Sequence, residues 1–292
     1  SGFKAGALQA GLLKAKGHFI AIFDADFLPA PDFLKQTLPH FMQNDRIGAV
    51  QTRWGHINRN YSLLTRIQGF ALDAHFTVEQ QGRQAGGHFI NFNGTAGIWR
   101  RSCIEDSGGW EADTLTEDLD LSYRAQLKGW RFKYIEEYCS PAELPVLMSA
   151  IKSQQFRWTK GGAETGRKNI GKIWRSDVGF QSKVHGTFHL ASSLIFFCVL
   201  LSAVSSIPLL IVKNSTTIYT KYFYFMSIFA VSLLILGLFY FSSMFHRYRN
   251  KGIAFLHFLY TFPLFLSFSM GLSLHNSRAA LEGFLGFRSP FV

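Results

Sequence analysis

Two long apolar runs limit what this chain can fold into. Phe188 to Val212 and Tyr222 to Phe245 contain no formally charged residue over 25 and 24 residues. As helices, runs of this length cross the hydrocarbon core of a bilayer, which is about 30 Å thick. Basic residues precede the first run and follow the second, and the loop between the runs is short. The positive-inside rule therefore predicts that both outer flanks are cytoplasmic and that the short loop lies outside.

The rest of the composition divides the chain into two regions. Residues 1–185 have the balance of a soluble α/β domain, and residues 186–292 form a membrane region. The net charge is +11, but its basic residues gather beside the apolar runs, which favours a lipid bilayer and not nucleic acid as partner. Three cysteines without metal-ligand spacing indicate reduced thiols. A third apolar run, 253–274, is either a third span or an interfacial or re-entrant helix.

In the soluble region, an acidic pair follows an apolar segment. Phe19 to Phe23 predicts a strand buried on both faces of a parallel sheet. Ligands of open α/β sheets bind beyond the carboxyl ends of the strands, where Asp24 and Asp26 follow. Residues two apart in an extended backbone point the same way, so the pair is predicted to hold one Mg²⁺ or Mn²⁺ ion. An acidic turn without a metal is the alternative interpretation.

Three other segments carry candidate binding residues. Lys4 opens a helix that reaches about Lys16, and its ammonium group beside helix amides suits a phosphate. Ile47 to Trp54 predicts a second strand. Residues near its end either line a sugar site or belong to the core: Gln51, Arg53 and Trp54. The small and polar segment Phe92-Asn93-Gly94-Thr95 either lets a ligand approach the backbone or forms a tight turn.

Two helical segments carry candidate catalytic residues. Thr116 predicts an N-cap, and Glu117 suits the dipole of the first turn. Asp118 is not required for capping and is a candidate general base. A helical stretch from about Ala142 carries two glutamines, a cation and an indole at Gln154, Gln155, Arg157 and Trp158. Arginine clamps diphosphate and tryptophan stacks on sugar rings, although a helix on the membrane surface would also carry both.

Together, these motifs resemble one enzyme family. Asp24-x-Asp26, Thr116-Glu117-Asp118 and Gln154-Gln155-x-Arg157-Trp158, in that order before paired membrane spans, are similar to the processive family 2 glycosyltransferases. This superfamily includes the cellulose synthases, and the segment from Phe92 to Trp158 most resembles its mannan and glucan synthase branch. The resemblance implies an α/β fold with a partial GT-A (Rossmann-like) glycosyltransferase domain followed by C-terminal transmembrane helices.

The resemblance also implies a role for each matching residue. Asp118 is expected to be the catalytic base, with Asp24 and Asp26 holding Mg²⁺ or Mn²⁺. The donor and its diphosphate are expected to contact Lys4, Gly6, Asp24, Asp26, Gln154 and Arg157. The acceptor end is expected to contact Trp158, Phe92, Asn93, Gly94, Thr95 and Glu117.

Two parts of the family pattern do not occur in these residues. The aspartate that contacts the nucleotide base would precede Ser1, and the chain opens without Met, so a longer natural protein is expected. Arg288 to Val292 resembles the start of the family's cytosolic gating loop. If that loop is cytosolic, 253–274 does not cross after two spans, which favours the interfacial or re-entrant interpretation.

The predicted function is that of an inverting, processive glycosyltransferase. It would move sugar from UDP-glucose or GDP-mannose to a growing β-linked polysaccharide, with the catalytic domain cytosolic at the inner (plasma) membrane. One alternative is a non-processive lipid-linked sugar transferase. The other is a membrane protein that binds nucleotide sugar without catalysis.

Overall fold

A mixed sheet of four strands forms the centre of the globular part. The computed structural model describes residues 2–287, so the predicted start of a gating loop at 288–292 lies outside the described residues. The sheet has the order β1-β3-β2-β4. β3 is antiparallel to both of its neighbours, and β2 pairs with β4 in parallel. The carboxyl ends of β1, β2 and β4 therefore meet the start of β3 at one edge. The strands are β1 (Phe19–Ile22), β2 (Ile47–His56), β3 (Gly97–Arg100) and β4 (Arg131–Ala142).

The prediction that β1 is buried on both faces of a parallel sheet is wrong. Within the described residues, β1 pairs with β3 alone and is antiparallel to it, and of its four residues only Ile22 is buried. The apolar side chains in and around β1 instead pack against the helix that follows it. The ring of Phe19 lies 4.7 Å from that of Phe41, and the ring of Phe23 lies 4.8 Å from that of Phe33.

Helices cover both faces of this sheet. On β3, Trp99 packs into a cluster with the first helix and with α5 and α6, whereas its neighbour Ile98 packs against Phe41 of α2. Both residues are fully buried, as expected of successive side chains that point to opposite faces. The helices of the globular part are α1 (Phe3–Lys14), α2 (Phe33–Gln43), α3 (Leu63–Ala74), a π-helix (His75–Gln80), α4 (Gln81–Ala85), α5 (Arg101–Asp106), α6 (Glu117–Leu127), α7 (Met148–Arg175) and α8 (Phe180–Leu190).

The C-terminal part consists of apolar helices. They are α9 (Leu194–Ser215), α10 (Thr220–Met226), a short 3₁₀ turn (Ser227–Phe229), α11 (Ala230–Arg247) and α12 (Lys251–Leu285). Three helical stretches are long and apolar enough to span a membrane: Leu194–Ser215, Thr220–Arg247 and Lys251–Leu285. The first begins later than the predicted Phe188 because α8 ends at Leu190 and a turn precedes Leu194.

Some basic residues ahead of the first apolar run belong to the globular part. Lys160 is fully buried, and its Nζ lies 3.2 Å from a carboxylate oxygen of Glu282. Lys168 bonds to Asp120, which is also fully buried, over 3.0 Å. Counting charges near a span cannot separate such structural cations from those that face lipid headgroups.

Helix α7 begins later than predicted and packs closely on the start of α6. β4 continues to Ala142, so the helix predicted from that residue begins only at Met148. Gly161 faces the residue before α6: a Cβ there would lie 2.8 Å from the backbone nitrogen of Thr116. The adjacent Gly162 has open space around it. The close contact between the two helices therefore depends on the missing side chain at Gly161.

We predict opposite effects for two adjacent substitutions on α7. Alanine in a helix interior is favoured over glycine by about 1 kcal/mol, so Gly162→Ala is expected to raise the thermal unfolding midpoint of the protein in lipid nanodiscs. Gly161→Ala makes the same helix gain but forces backbone apart, and overpacking costs about 1–3 kcal/mol. Its midpoint is therefore expected to fall below that of Gly162→Ala. Equal midpoints for the two variants would contradict the close contact.

Candidate active site

A cavity of about 400 Å³ opens at the sheet edge where the strand ends meet. It is lined by residues of α1, the turn after β1, the end of β2, α3, the loop before β3, the start of α6, the end of β4 with the loop after it, and α7. Of the residues to which the resemblance assigns a role, all line this cavity except Gly6, Phe92 and Thr95. The predicted residues brought together are Lys4, Asp24, Asp26, Asn93, Gly94, Glu117, Asp118, Gln154, Arg157 and Trp158.

Lys4 ties the acidic turn to the loop before β3. Its ammonium group donates to Oδ1 of Asp24 over 2.7 Å and to the carbonyl oxygen of Gly94 over 3.1 Å. The backbone turns after Asp24, whose carbonyl accepts from the N–H of Phe27 over 3.1 Å. Asp24 and Asp26 therefore do not lie in an extended strand, and the argument from alternating side chains does not apply to them. Both line the cavity because the turn itself lies at its rim.

Gly94 allows the loop before β3 to approach the base candidate. Its φ angle is +77°, which glycine adopts without strain. A Cβ at this residue would lie 3.2 Å from Oδ2 of Asp118 and 3.4 Å from Nζ of Lys4. The backbone of the loop is thus in close contact with the carboxylate and the cation at once.

The start of α6 presents two carboxyl groups with raised pKa values. Burial raises the pKa of Asp118 to about 7, and the negative charge of Glu117 acts in the same direction. Burial also raises the pKa of Glu117. A carboxyl group whose pKa lies near neutrality is suited to take up a proton at physiological pH.

Helix α7 is fixed against the segment ahead of α6 by polar contacts. A carboxylate oxygen of Glu164 accepts from the N–H of Leu115 over 2.8 Å. Thr116 occupies the N-cap position, but its side chain makes no capping bond and its hydroxyl lies 3.2 Å from that of Thr165. The predicted N-cap is therefore correct in place but not in its bonding. Two turns nearer the start of α7, Arg157 and Trp158 reach the cavity.

Three predicted contacts with ligand do not have the expected placement. Phe92 is buried in the core, where its ring lies 5.3 Å from that of Trp99. Thr95 is buried too, and its hydroxyl accepts from the N–H of Asp24 over 2.8 Å. Phe92 thus supports the loop from below, and Thr95 fixes the acidic turn. Gly6 lies inside α1 and does not line the cavity.

The end of β2 contributes residues for which the sequence left two interpretations open, a sugar site and the core. Trp54 lines the cavity and also packs on Phe27, with the rings 5.3 Å apart, so it belongs to the cavity wall and packs against the core. Its contact with a sugar stays a prediction. Gln51 is buried and accepts from the N–H of Asn93 over 2.9 Å. Arg53 lies at a different cavity. His56 also lines the site, and burial lowers its pKa to about 4, so it is neutral. The sequence did not predict this residue, because a lone histidine at a strand end belongs to no motif.

Two groups of carboxylates are candidate places for a divalent cation. The most compact cluster of carboxylates, Glu111, Asp113 and Asp120, already surrounds Nζ of Lys168 at 2.7 to 3.0 Å. That position is therefore filled by an ammonium group. Asp24 and Asp26 face the open cavity, and two carboxylates with ligand phosphate suit Mg²⁺ or Mn²⁺.

Three buried polar atoms at the cavity have no hydrogen-bond partner among residues 2–287. They are Nε1 of Trp54, Nε2 of His56 and Nδ2 of Asn93. Buried polar groups are nearly always bonded in folded proteins. Such atoms are candidates for hydrogen bonds to a bound polar ligand or to water.

Comparisons with known proteins agree with this geometry. The family model described as "Glycosyl transferase family group 2" matches residues 19–269. The probable glucomannan 4-beta-mannosyltransferase 4 of Oryza sativa subsp. japonica is 35% identical over 97% of this chain and 50% of its own length. The glucomannan 4-beta-mannosyltransferase 7 of Arabidopsis thaliana is 41% identical over 71% of this chain and 40% of its length. The chain thus spans about half the length of these curated relatives.

A solved structure shares the fold. It is a mannosyltransferase from Pyrobaculum calidifontis in complex with GDP-Man and Mn²⁺, with a TM-score of 0.55 and 15% sequence identity. The alignment covers 97% of this chain and 67% of that chain. Because the family model matches residues 19–269, most of this chain, the chain belongs to glycosyl transferase family group 2.

Proposed function

We propose that the protein is an inverting, processive membrane mannosyltransferase. It transfers mannose from GDP-mannose to the end of a growing β-linked polysaccharide. The observation that carries the proposal is the meeting of Asp24, Asp26, Asp118, Arg157 and Trp158 at one cavity, although they lie far apart in the chain. The names of the relatives favour mannose as the sugar and GDP-mannose as the donor over UDP-glucose.

Asp118 acts as the general base in this proposal. Its raised pKa suits it to remove the proton from the acceptor hydroxyl as that oxygen attacks the anomeric carbon. Attack opposite the departing diphosphate inverts the configuration and gives a β-linkage. Arg157 and Gln154 contact the diphosphate, and Trp158 holds the acceptor sugar against its indole face. Glu117, beside the base, keeps the pKa of Asp118 high.

The charges at the cavity support a requirement for a divalent cation. Five carboxyl groups line it with only two cationic side chains, Lys4 and Arg157, among its described lining. A diphosphate would be repelled from such an acidic cavity unless a cation accompanied it. Asp24 and Asp26 would hold Mg²⁺ or Mn²⁺, which would neutralise the leaving diphosphate. Lys4 stabilises the same turn from the other side.

A second cavity supports processive synthesis over a single transfer to a lipid. It has a volume of about 160 Å³ and shares Gln154 and Trp158 with the active site. From there it continues between α3, α7, α9 and α12, and its lining includes Phe196 and Phe268. Aromatic side chains beyond the acceptor site give a product chain a path toward the apolar helices. A protein that only binds nucleotide sugar would leave Asp118 without a role.

We further propose that α12 lies along the membrane surface and that α9 and α11 are the spans. The ring of Phe265 lies 5.5 Å from that of Phe70 in α3, and Nε2 of His275 donates to Lys152 O over 3.0 Å. Glu282 then pairs with Lys160. α12 therefore touches the globular part over the 18 residues from Phe265 to Glu282, about 27 Å of helix. The catalytic domain is cytosolic at the plasma membrane in this arrangement.

The central experiment combines a donor panel with a base substitution. In the complete protein in lipid vesicles, GDP-mannose with Mn²⁺ is expected to give a β-linked product identified by linkage analysis. Asp118→Asn is expected to lower transfer by about 10²–10⁴-fold while donor binding is retained. Glu105→Gln, an exposed carboxylate paired with Arg101, is the matched control and should keep wild-type activity. Full activity of Asp118→Asn would remove this residue from the mechanism.

The pH dependence of the transfer rate is an independent test of Asp118 as the base. Because the pKa of Asp118 is raised to about 7, the group is protonated below that pH and cannot accept the acceptor's proton. The transfer rate at low acceptor concentration is therefore expected to rise with pH through about 7. A rate that stays flat between pH 5 and 8 would contradict Asp118 as the base.

Metal dependence is expected to follow the acidic turn. EDTA should abolish transfer, and Mn²⁺ or Mg²⁺ should restore it. Asp24→Asn or Asp26→Asn removes a hard oxygen ligand, so either is expected to raise the Mn²⁺ concentration for half-maximal rate about tenfold or more. Asp113→Asn makes the same charge change in the lysine-filled cluster and should leave that concentration unchanged. A metal response altered only by Asp113→Asn would move the cation to the other cluster.

Cysteine labelling tests the membrane arrangement. Cys198 is the exposed native thiol and is first replaced by serine. Tyr219→Cys marks the loop between the spans, and Leu285→Cys marks the exposed end of α12. An impermeant maleimide added outside intact cells is expected to label Tyr219→Cys and not Leu285→Cys. Labelling of Leu285→Cys from outside would mean that α12 crosses the membrane.

A further inference from the structure

A chain of polar side chains runs from the π-helix to the active-site loop. The π-helix, His75–Gln80, joins α3 to α4, and such wide turns are often found at functional sites. Nδ1 of His75 lies 2.6 Å from Oε2 of Glu79, and its Nε2 lies 3.3 Å from Oδ1 of Asn93. Glu79 also pairs with Arg83 of α4. None of these three residues stands out in the sequence, because no motif contains them.

The chemistry of this chain fixes which way the amide of Asn93 points. Arginine can only donate, so Oδ1 of Asn91, 3.3 Å from Nη1 of Arg83, must be an acceptor. Nδ2 of Asn91 is then a donor, and it bonds to Oδ1 of Asn93. Turning the amide of Asn93 over would set its NH₂ group against that of Asn91. Oδ1 of Asn93 therefore faces this chain of polar side chains, and its Nδ2 has no hydrogen-bond partner among them.

His75 and Glu79 support the same orientation. The carboxylate of Glu79 faces Nδ1 of the imidazole and the amide oxygen of Asn93 faces Nε2, so both ring nitrogens lie against groups that accept hydrogen bonds. Burial opposes ionisation of Glu79, yet Arg83 and then His75 hold the pKa of Glu79 below its usual range. Glu79 thus remains a charged acceptor between two donors.

The free amide nitrogen lies on the loop beside the base. Nδ2 of Asn93 is buried, has no hydrogen-bond partner within residues 2–287, and belongs to a side chain that lines the cavity. The next residue is Gly94, where a Cβ would lie 3.2 Å from the carboxylate of Asp118. A donor at this place faces the substrate whose hydroxyl the base deprotonates.

We propose that His75, Glu79 and Arg83 act as positioning residues that hold the amide of Asn93 with its Nδ2 toward the cavity. There it donates to a hydroxyl oxygen of the acceptor sugar, next to the hydroxyl that Asp118 deprotonates. This inference rests on the proposed transferase function and adds a determinant of acceptor binding to it. It requires an acceptor that presents an oxygen as hydrogen-bond acceptor at that place, as every sugar with two adjacent free hydroxyls does.

The test is a double-mutant cycle on acceptor kinetics. The complete protein in lipid vesicles is assayed with saturating GDP-mannose and Mn²⁺, and mannotetraose is varied as the acceptor. Asn93→Ala and His75→Phe are each expected to raise the KM for mannotetraose about tenfold, with the KM for GDP-mannose within twofold of wild type. If His75 acts through Asn93, the double variant is no worse than Asn93→Ala alone. Effects that multiply in the double variant would overturn the relay.

Two further variants keep the test decisive. Glu79→Gln preserves size but loses the charge between His75 and Arg83, so it is expected to raise the KM for mannotetraose several-fold even if His75→Phe does not fold. His88→Phe makes the same substitution as His75→Phe at a histidine whose side chain stacks on His185, with ring centroids 3.9 Å apart, and bonds to Ser182. Only the backbone N–H of His88 contacts Arg83, and the substitution keeps that bond, so this variant should match wild type. Wild-type kinetics in a folded Glu79→Gln protein would overturn the proposal.

The outcomes separate this proposal from the one it rests on. If wild-type protein transfers no sugar to mannotetraose from any donor in the panel, the proposed function fails. If wild type transfers and Asn93→Ala raises the acceptor KM but neither His75→Phe nor Glu79→Gln does, only the relay fails. A rise in the KM for GDP-mannose instead of the acceptor KM would also overturn it, because the amide would then face the donor.

Discussion

The contact between α7 and the segment before α6 is the constraint on which the active site depends. Gly161, Glu164 and Thr165 lie on one face of α7, at helical spacing, and all three touch Leu115 or Thr116. These contacts set the position of α7 along the axis of α6. Arg157 and Trp158, nearer the start of α7, reach the same cavity as Asp118 only because that position is fixed. An amphipathic helix thus becomes part of the cavity wall through its contacts at Gly161, Glu164 and Thr165.

The same cavity concentrates charge at a cost. Glu117 and Asp118 are adjacent on the first turn of α6, where the helix dipole favours negative charge. Burial opposes ionisation of both and raises both pKa values. Lys4 moderates this cost by bonding to Asp24 and to the loop at Gly94. The pKa of Asp118 therefore lies near neutral pH, whereas the carboxylate of Asp24 stays available for a cation. The proposed reaction requires this separation of roles.

The sequence predicted the members of the site better than it predicted the reasons for their placement. Asp24, Asp118 and Trp158 were found from motifs, since each has a side chain whose chemistry suits a nucleotide sugar. Phe92 and Thr95 were in the same motif, but they support the loop and the acidic turn from inside. A motif records which residues are needed and does not separate those that touch ligand from those that hold its partners. Burial decides between the two, and burial depends on the tertiary fold.

Parts of the fold escaped the sequence for a related reason. The apolar segment at β1 was assigned to the middle of a parallel sheet, yet β1 pairs with β3 alone in the described chain and uses its aromatic rings to hold α2. Hydrophobicity reports that a side chain is buried and not what buries it. Lys160 and Lys168 illustrate the converse, because these basic residues ahead of a membrane segment pair with Glu282 and with the fully buried Asp120.

The polar chain behind Asn93 extends toward the membrane region. Nη1 of Arg83 lies 2.9 Å from Nε2 of His189, and the hydroxyl of Tyr123 in α6 lies 2.7 Å from the other ring nitrogen of that histidine. His189 is the penultimate residue of α8, five residues before α9 begins at Leu194. The loop before β3, helix α6 and helix α8, which precedes the first apolar helix, are therefore joined by hydrogen bonds.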